Sequence, residues 1–384
     1  MNITMSVLGR FHLFHVAKQL QDRGCLRRLI TSYPAFEAVK YGLDRQYLKS
    51  LVIHEIINRI SVKFPDSLRA LIDPQYQVFE FFDRHASWHI PRDTDIFMGL
   101  SSGALHSLRR AKKLGALTVL ERASAHMLSQ RKLLSEEYDR LGLKKVIVHP
   151  KVVDKELAEY QEADFILVPS HYVKRSFLEH GIPEAKLIHN PYGVNLAEFF
   201  PVPKEDQIFR VIHCGNASIR KGVHYLLQAF SELQLPQAEL WLVGPIAAEI
   251  APFLNKFGSP AIITKGTFPQ RELNRILSQG SVFCLASIEE GLATVQAQAM
   301  ACGLPVVITT NTGGEDIVRP GVDGFIVPIR DVEALKEKIL YFYNHPEARR
   351  SMGASALQRV QQGFTWKDYA DRLIQRYRRL LAET

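Results

Sequence analysis

The 384-residue sequence predicts an α/β protein built from two Rossmann-like domains that face each other across a cleft. Three observations carry this. Short apolar runs of strand length alternate with helical stretches along most of the chain. Glycines fall where several of these runs end, as at Gly9, Gly215 and Gly244. A linker near Phe200-Pro201-Val202-Pro203, where two prolines limit helix continuation, divides a chain long enough for two domains.

The first half opens with a strand, Asn2 to Leu8, the loop Gly9-Arg10-Phe11-His12, an amphipathic helix to about Arg23, and a glycine stop at Gly24. Leu26 to Thr31 is the next strand. Gly9 allows close backbone approach of a ligand. His12 and His15 lie one helical turn apart, but no third ligand accompanies them, so no metal is expected there. Residues 36 to 92 read as mostly helical and rich in aromatics, an insertion in the first domain. Strands follow at Asp95–Leu100 and Ala116–Leu120. Glu121-Arg122-Ala123-Ser124-Ala125-His126 leaves the second of these at its carboxyl end, where open parallel sheets place their sites. Glu121 and Arg122 also read as a structural ion pair. Phe165 to Pro169 is another strand, and Leu187-Ile188 leads to His189-Asn190-Pro191-Tyr192-Gly193-Val194-Asn195.

In the second half, Ile208 to Cys214 is a strand ending in Gly215. Asn216 to Gly222 then carries Arg220 and Lys221 to a helix start, which suits a diphosphate: arginine offers a fork of donors and lysine a point charge. Leu240–Gly244 and Ala261–Thr264 are strands, with Gly266 and Phe268 after the second; Phe268 reads equally as a core aromatic or a platform for a base. Ser281 to Thr310 is strand, loop, helix, glycine stop and strand. Its helix begins near Ala293 and Thr294, so free amides and the positive dipole end point to the ligand side of the sheet. Glu290 precedes that helix and Gln298 lies within it. A carboxylate beside a phosphate site is best explained by neutral donors such as sugar hydroxyls; the alternative is a helix cap. A strand at Gly324–Pro328 and helices at Asp331–Leu340, Glu347–Gln362 and Trp366 onward complete the chain.

The stretch from Glu290 to Val307, E-G-L-A-T-V-Q-A-Q-A-M-A-C-G-L-P-V-V, resembles the donor signature of the retaining glycosyltransferases of family four, glycosyl transferases group 1. Gly215 and Lys221-Gly222 match that family's G-R-x4-K-G spacing, with Asn216 at the arginine position and Arg220 as the substitute cation. The resemblance implies the GT-B fold: residues 1–200 form the acceptor-binding domain, 201–365 the donor-binding domain, and 366–384 a helix returning to the first. It implies transfer of a sugar from a nucleotide-sugar donor to an acceptor hydroxyl with retention, by front-face attack. Glu290, Arg220, Lys221 and His126 are the implied catalytic residues, His126 reaching the reacting sugar. Gly9, Gly215, Asn216, Gly266, Phe268, Gly291, Leu292, Ala293, Thr294 and Gln298 line the donor. Arg10 and His12 face the acceptor. Gln298 replaces the family's second glutamate and weakens its ribose contact by about 1 kcal/mol. The resemblance implies a reaction with no metal and no cofactor beyond the donor, the fixed cations taking a metal's place.

The formal charge of +8 is concentrated in the first half: 28 Lys+Arg against 22 Asp+Glu through residue 200, and 20 against 18 after it. Solvated helix faces explain this as well as an anionic membrane or an acidic acceptor does. No nucleic-acid motif accompanies it. No run reaches the length needed to span a bilayer, and no basic stretch precedes the apolar N-terminal residues. Cys25, Cys214, Cys284 and Cys302 are scattered, as reduced core thiols are. The expectation is a cytoplasmic protein at the inner face of the membrane, in envelope polysaccharide or glycolipid synthesis. A sugar-nucleotide epimerase of the same fold and a non-catalytic nucleotide-sugar scaffold remain open.

Overall fold

The computed structural model describes residues 1–9, 12–61, 74–143 and 145–383. Arg10 lies outside them. The first domain holds a seven-stranded parallel sheet in the order β3-β2-β1-β4-β5-β6-β7. Its strands are β1 Ile3–Val7, β2 Leu26–Thr31, β3 Leu48–Ser50, β4 Ile96–Leu100, β5 Leu117–Glu121, β6 Phe165–Val168 and β7 Leu187–His189. The second holds six parallel strands in the order β10-β9-β8-β11-β12-β13. These are β8 Phe209–Cys214, β9 Ala238–Val243, β10 Ile262–Gly266, β11 Val282–Leu285, β12 Val306–Thr309 and β13 Gly324–Val327. Helices cover the sheets, so the central strands are buried on both sides and read as continuous apolar runs.

Two strands escaped the sequence reading. β3 sits inside the stretch read as helical, and β7 follows a single helical turn, Glu184–Lys186. Each has three residues, too few for a period to show, and each is an edge strand.

The chain passes between the domains twice, side by side. The Val194 amide donates to the Phe364 carbonyl at 2.8 Å. The last helix, Trp366–Glu383, then packs on the first, Leu13–Asp22. One buried apolar cluster runs from Phe14 and Leu20 through Tyr369 and Tyr377 to Met300 and Val306, and so belongs to both domains.

Close packing at the strand ends sets the site. Gly222 has φ +62°, and a Cβ there would stand 1.8 Å from the Ala286 carbonyl oxygen. Only glycine lets the loop after β8 lie against the loop after β11. Gly222→Ala is therefore expected to cost about 2 kcal/mol and to lower Tm by several degrees in a thermal melt.

Candidate active site

β11 delivers a wholly buried loop, Ala286 to Ala293, to the helix Thr294–Ala301. The amides of Leu292, Ala293, Thr294 and Val295 have no hydrogen-bond partner among the described residues. Ala293 holds the N-cap position and supplies no side-chain cap; Glu290 does not cap this helix. Free amides at a helix start attract an anion through their own partial charge and the helix dipole.

The loop after β8 meets this one backbone to backbone: the Ile288 amide donates to the Arg220 carbonyl at 2.9 Å. The Lys221 ammonium pairs with the Glu290 carboxylate. Burial raises the Glu290 pKa, but Lys221 and then Arg220 outweigh it, so the carboxyl sits below its ordinary range. His213 on β8 is fully buried, and neither ring nitrogen has a hydrogen-bond partner among the described residues. Burial, then Lys221, push its pKa down to about 4, so it is neutral here. Ser287 Oγ is likewise buried and unpartnered.

Arg220 departs from the expectation of a free phosphate cation. Its Nη2 lies 2.9 Å from Glu289 Oε2, and its Nε donates to the Glu289 carbonyl at 3.2 Å. Nη2 also donates to Ser124 Oγ of the first domain at 3.2 Å, while Glu290 stands 4.0 Å from Nε. Burial disfavours its charge, but Glu289 and then Glu290 raise its pKa overall.

Glu289 is the residue the sequence did not single out. It is fully buried, accepts from the Ala125 amide at 3.0 Å and from Gln130 Nε2 at 2.8 Å, and so holds the loop after β5. The only signal was the Glu-Glu doublet, which does not say which carboxylate turns which way. Beside it, a Cβ on Gly291 would stand 1.8 Å from the Ala123 carbonyl oxygen, and Ser170 Oγ donates to the Gly291 carbonyl at 2.6 Å. The domains are thus in contact at the loop after β11. Next to this contact lies a cavity of about 550 Å³. Arg122, Ser124 and Gln130 line it from one side, Asn216, Ser218 and Arg220 from the other. Lys221 and Glu290 are not among its lining residues.

The other predicted residues fall as follows. Gly9 donates its amide to Ser32 Oγ at 2.8 Å. Gly215 donates its amide to the Val243 carbonyl, and Asn216 is exposed at the cavity wall. Gly266 is exposed with φ +72°, and Phe268 is half-buried against the core, which favours its core reading. Gln298 is half-buried, and its side chain makes no hydrogen bond among the described residues.

Three expectations need correction. His126 does not extend into the cavity: it is buried, caps the helix Met127–Arg140 through Nδ1, and stacks on His180 with ring centroids 4.1 Å apart. Burial, then His180 and Arg122, drive its pKa down to about 3. His12 is not an open acceptor-side group, because its Nε2 pairs with Glu121 and its ring lies against Tyr192. Glu121 and Arg122 do not pair with each other. Neighbours on a strand point to opposite faces, so Glu121 meets His12 and Tyr192 while Arg122 meets Glu156 at 3.0 Å.

With this geometry in hand, the relatives can be compared. Residues 208–345 match the family model of glycosyl transferases group 1. That match falls within the second domain. A GDP-mannose-dependent phosphatidylinositol monomannoside mannosyltransferase of Corynebacterium glutamicum is 26% identical over 236 residues, covering 55% of this chain and 61% of that protein. The sulfoquinovosyl transferase SQD2 of Arabidopsis thaliana is 27% identical over 225 residues, covering 54% of this chain and 43% of that one. The chain spans about three-fifths of the length of the first curated relatives it matches. Sucrose-phosphate synthase from Thermosynechococcus elongatus superposes with a TM-score of 0.71 at 19% identity over 100% of both chains. The Anabaena protein HepE in complex with UDP-glucose does so with 0.71 at 15%, again over 100% of both. The fold is the GT-B arrangement.

The Lys221–Glu290 pair makes a stability prediction. Glu290, held below the carboxylate range, contributes stability above its unfolded pKa that is lost as pH falls through the folded value. Lys221→Ala leaves the buried carboxylate with Arg220, 4.0 Å away, as its remaining charge partner, a loss of about 3 kcal/mol at neutral pH. It weakens the downward pKa shift, so less of the variant's stability is lost on acidification. The gap in Tm between wild type and variant is expected to narrow as pH falls from neutral into the carboxylate range, in melts at constant ionic strength.

Proposed function

We propose that this chain moves a sugar from a nucleoside diphosphate donor to an acceptor hydroxyl, with retention and without a metal, in glycolipid or envelope polysaccharide synthesis. The observation that carries the reading is the convergence of Lys221 and Glu290 at the head of a helix whose first amides are unpartnered. A diphosphate suits those amides and Lys221. The sugar hydroxyls suit Glu290, and the ribose suits the unpaired amide side chain of Gln298. The bond from the sugar C1 to the phosphate oxygen breaks as the acceptor oxygen bonds to C1 on the same face. The leaving phosphate takes the acceptor proton. Cationic and amide donors offset the charge that develops on the diphosphate. The bound UDP-glucose of HepE and the mannosyl donor named for the Corynebacterium relative support a nucleotide-sugar donor.

Glu290→Ala and Lys221→Ala are each expected to lower release of nucleoside diphosphate from a pool of sugar nucleotides at least 100-fold, about 2.7 kcal/mol of barrier. Turnover equal to wild type in both variants would overturn the assignment.

A membrane contact accompanies this reading. The helix Val52–Ser61 is inverted: His54 and Glu55 are buried, while Ile53, Ile56, Ile57 and Ile60 are exposed. The exposed spacing is one helical stripe. Arg59 lies on the same helix with a largely exposed side chain, and its guanidinium sits 5.9 Å from the Tyr33 ring centroid. An apolar stripe with a basic residue beside it suits an anionic bilayer surface. No described helix is long and apolar enough to cross a membrane. Ile53→Glu with Ile57→Glu is expected to abolish sedimentation with phosphatidylglycerol vesicles while leaving nucleotide release unchanged; retained sedimentation removes the contact.

A further inference from the structure

We infer a second site, for a first-row transition cation of the zinc class, where His171, His189 and Asp316 come together across the domain interface. It is separate from the Lys221–Glu290 pair and does not rest on the transferase reading. His171 opens the helix His171–Glu179, and His189 closes β7, both in the first domain. Asp316 ends the helical turn Gly314–Asp316 that follows β12 in the second. One ligand atom from each lies within 4.8 Å of the other two. His171 Nδ1 and His189 Nε2 are each 2.7 Å from Asp316 Oδ1.

Three features favour a cation over an ordinary ion pair. His189 Nε2 is buried and, despite its closeness to the carboxylate, has no partner in hydrogen-bond geometry. Asp316 Oδ2 accepts from the His171 amide at 2.8 Å, so the carboxylate is already oriented with Oδ1 turned to the two rings. The His171 side chain is 56% exposed, which gives an entry path and room for water in the remaining positions. Ligands at roughly 2.0–2.1 Å from a tetrahedral ion stand about 3.3 Å apart. The two nitrogen–oxygen separations must therefore open by well under 1 Å, and the exposed ring can move that far. Two imidazoles and one carboxylate select zinc-class ions over magnesium. Neighbouring cations are engaged elsewhere: Arg175 with Glu315, and Arg359 with the backbone carbonyls of Asp316 and Ile317.

Because the imidazoles and the carboxylate come from different domains, the ion would fasten one to the other. It would do so next to Ser170, the residue that donates to the Gly291 carbonyl of the donor loop. Binding would then stabilise this arrangement of the two domains by mass action.

The test titrates ZnCl2 alone into the full chain in chelator-free buffer, followed by calorimetry and by thermal melt. One zinc per chain and a raised Tm are expected, with no shift from MgCl2. His171→Ala, at an exposed position, and His189→Gln should each weaken zinc affinity at least tenfold, and the metal-free melt of each variant reports its folding. No saturable binding to the wild type, or wild-type affinity in both folded variants, would overturn the site.

Discussion

One ion pair between two mostly buried side chains, Lys221 and Glu290, is what the candidate site depends on. A carboxylate taken out of water costs several kcal/mol unless a charge and hydrogen-bond donors replace the solvent. Lys221 supplies that charge from a neighbouring strand end, and the glycine after it allows the approach. The two loops can therefore lie in backbone contact, with Ile288 bonded to Arg220. The amides of Leu292, Ala293, Thr294 and Val295 are left without partners among the described residues, an arrangement that suits an anion. Neutral His213 behind the pair and unpartnered Ser287 on the same loop add polar groups that the fold itself does not satisfy.

The residue before Glu290 performs a different task. Glu289 turns away from Lys221 to bind the first domain, and it is one of several carboxylates that cross the interface. Glu137 meets His224 and Tyr225, Glu249 meets Tyr138 and Lys145, and Asp316 meets the two histidines. Each brings a charge from one domain to donors of the other. Together with the shared apolar cluster behind the hinge, they fix how the first domain presents the loop after β5 to the donor loop. Arg220 belongs to this set: it braces Glu289 and Ser124.

Much of the fold was legible because buried parallel strands carry their own signal. Runs such as Val282 to Leu285 and Val306 to Ile308 are apolar throughout, and glycine stops bound them. The Glu290 loop was legible for a related reason: a polar interruption at a strand end, followed by small residues, leaves few structural explanations. Three-residue edge strands carry no such signal. Side-chain direction was the other blind spot. Sequence places Glu289 and Glu290, or Glu121 and Arg122, side by side, but the backbone sends each member of a pair to a different partner. His126 illustrates the limit. A histidine just past a strand end has the right address for a site, and only the packing of His180, Tyr160 and Phe177 around it shows a helix cap.

The central claim is that Lys221 and the amides after Glu290 grip a diphosphate. Calorimetric titration of a nucleoside diphosphate against its parent nucleoside, in wild type and in Lys221→Met, addresses it most directly. The account predicts that the diphosphate binds far more tightly than the nucleoside to the wild type, and that the variant loses at least tenfold of that advantage while its nucleoside affinity is kept. An advantage of equal size in both proteins would contradict it.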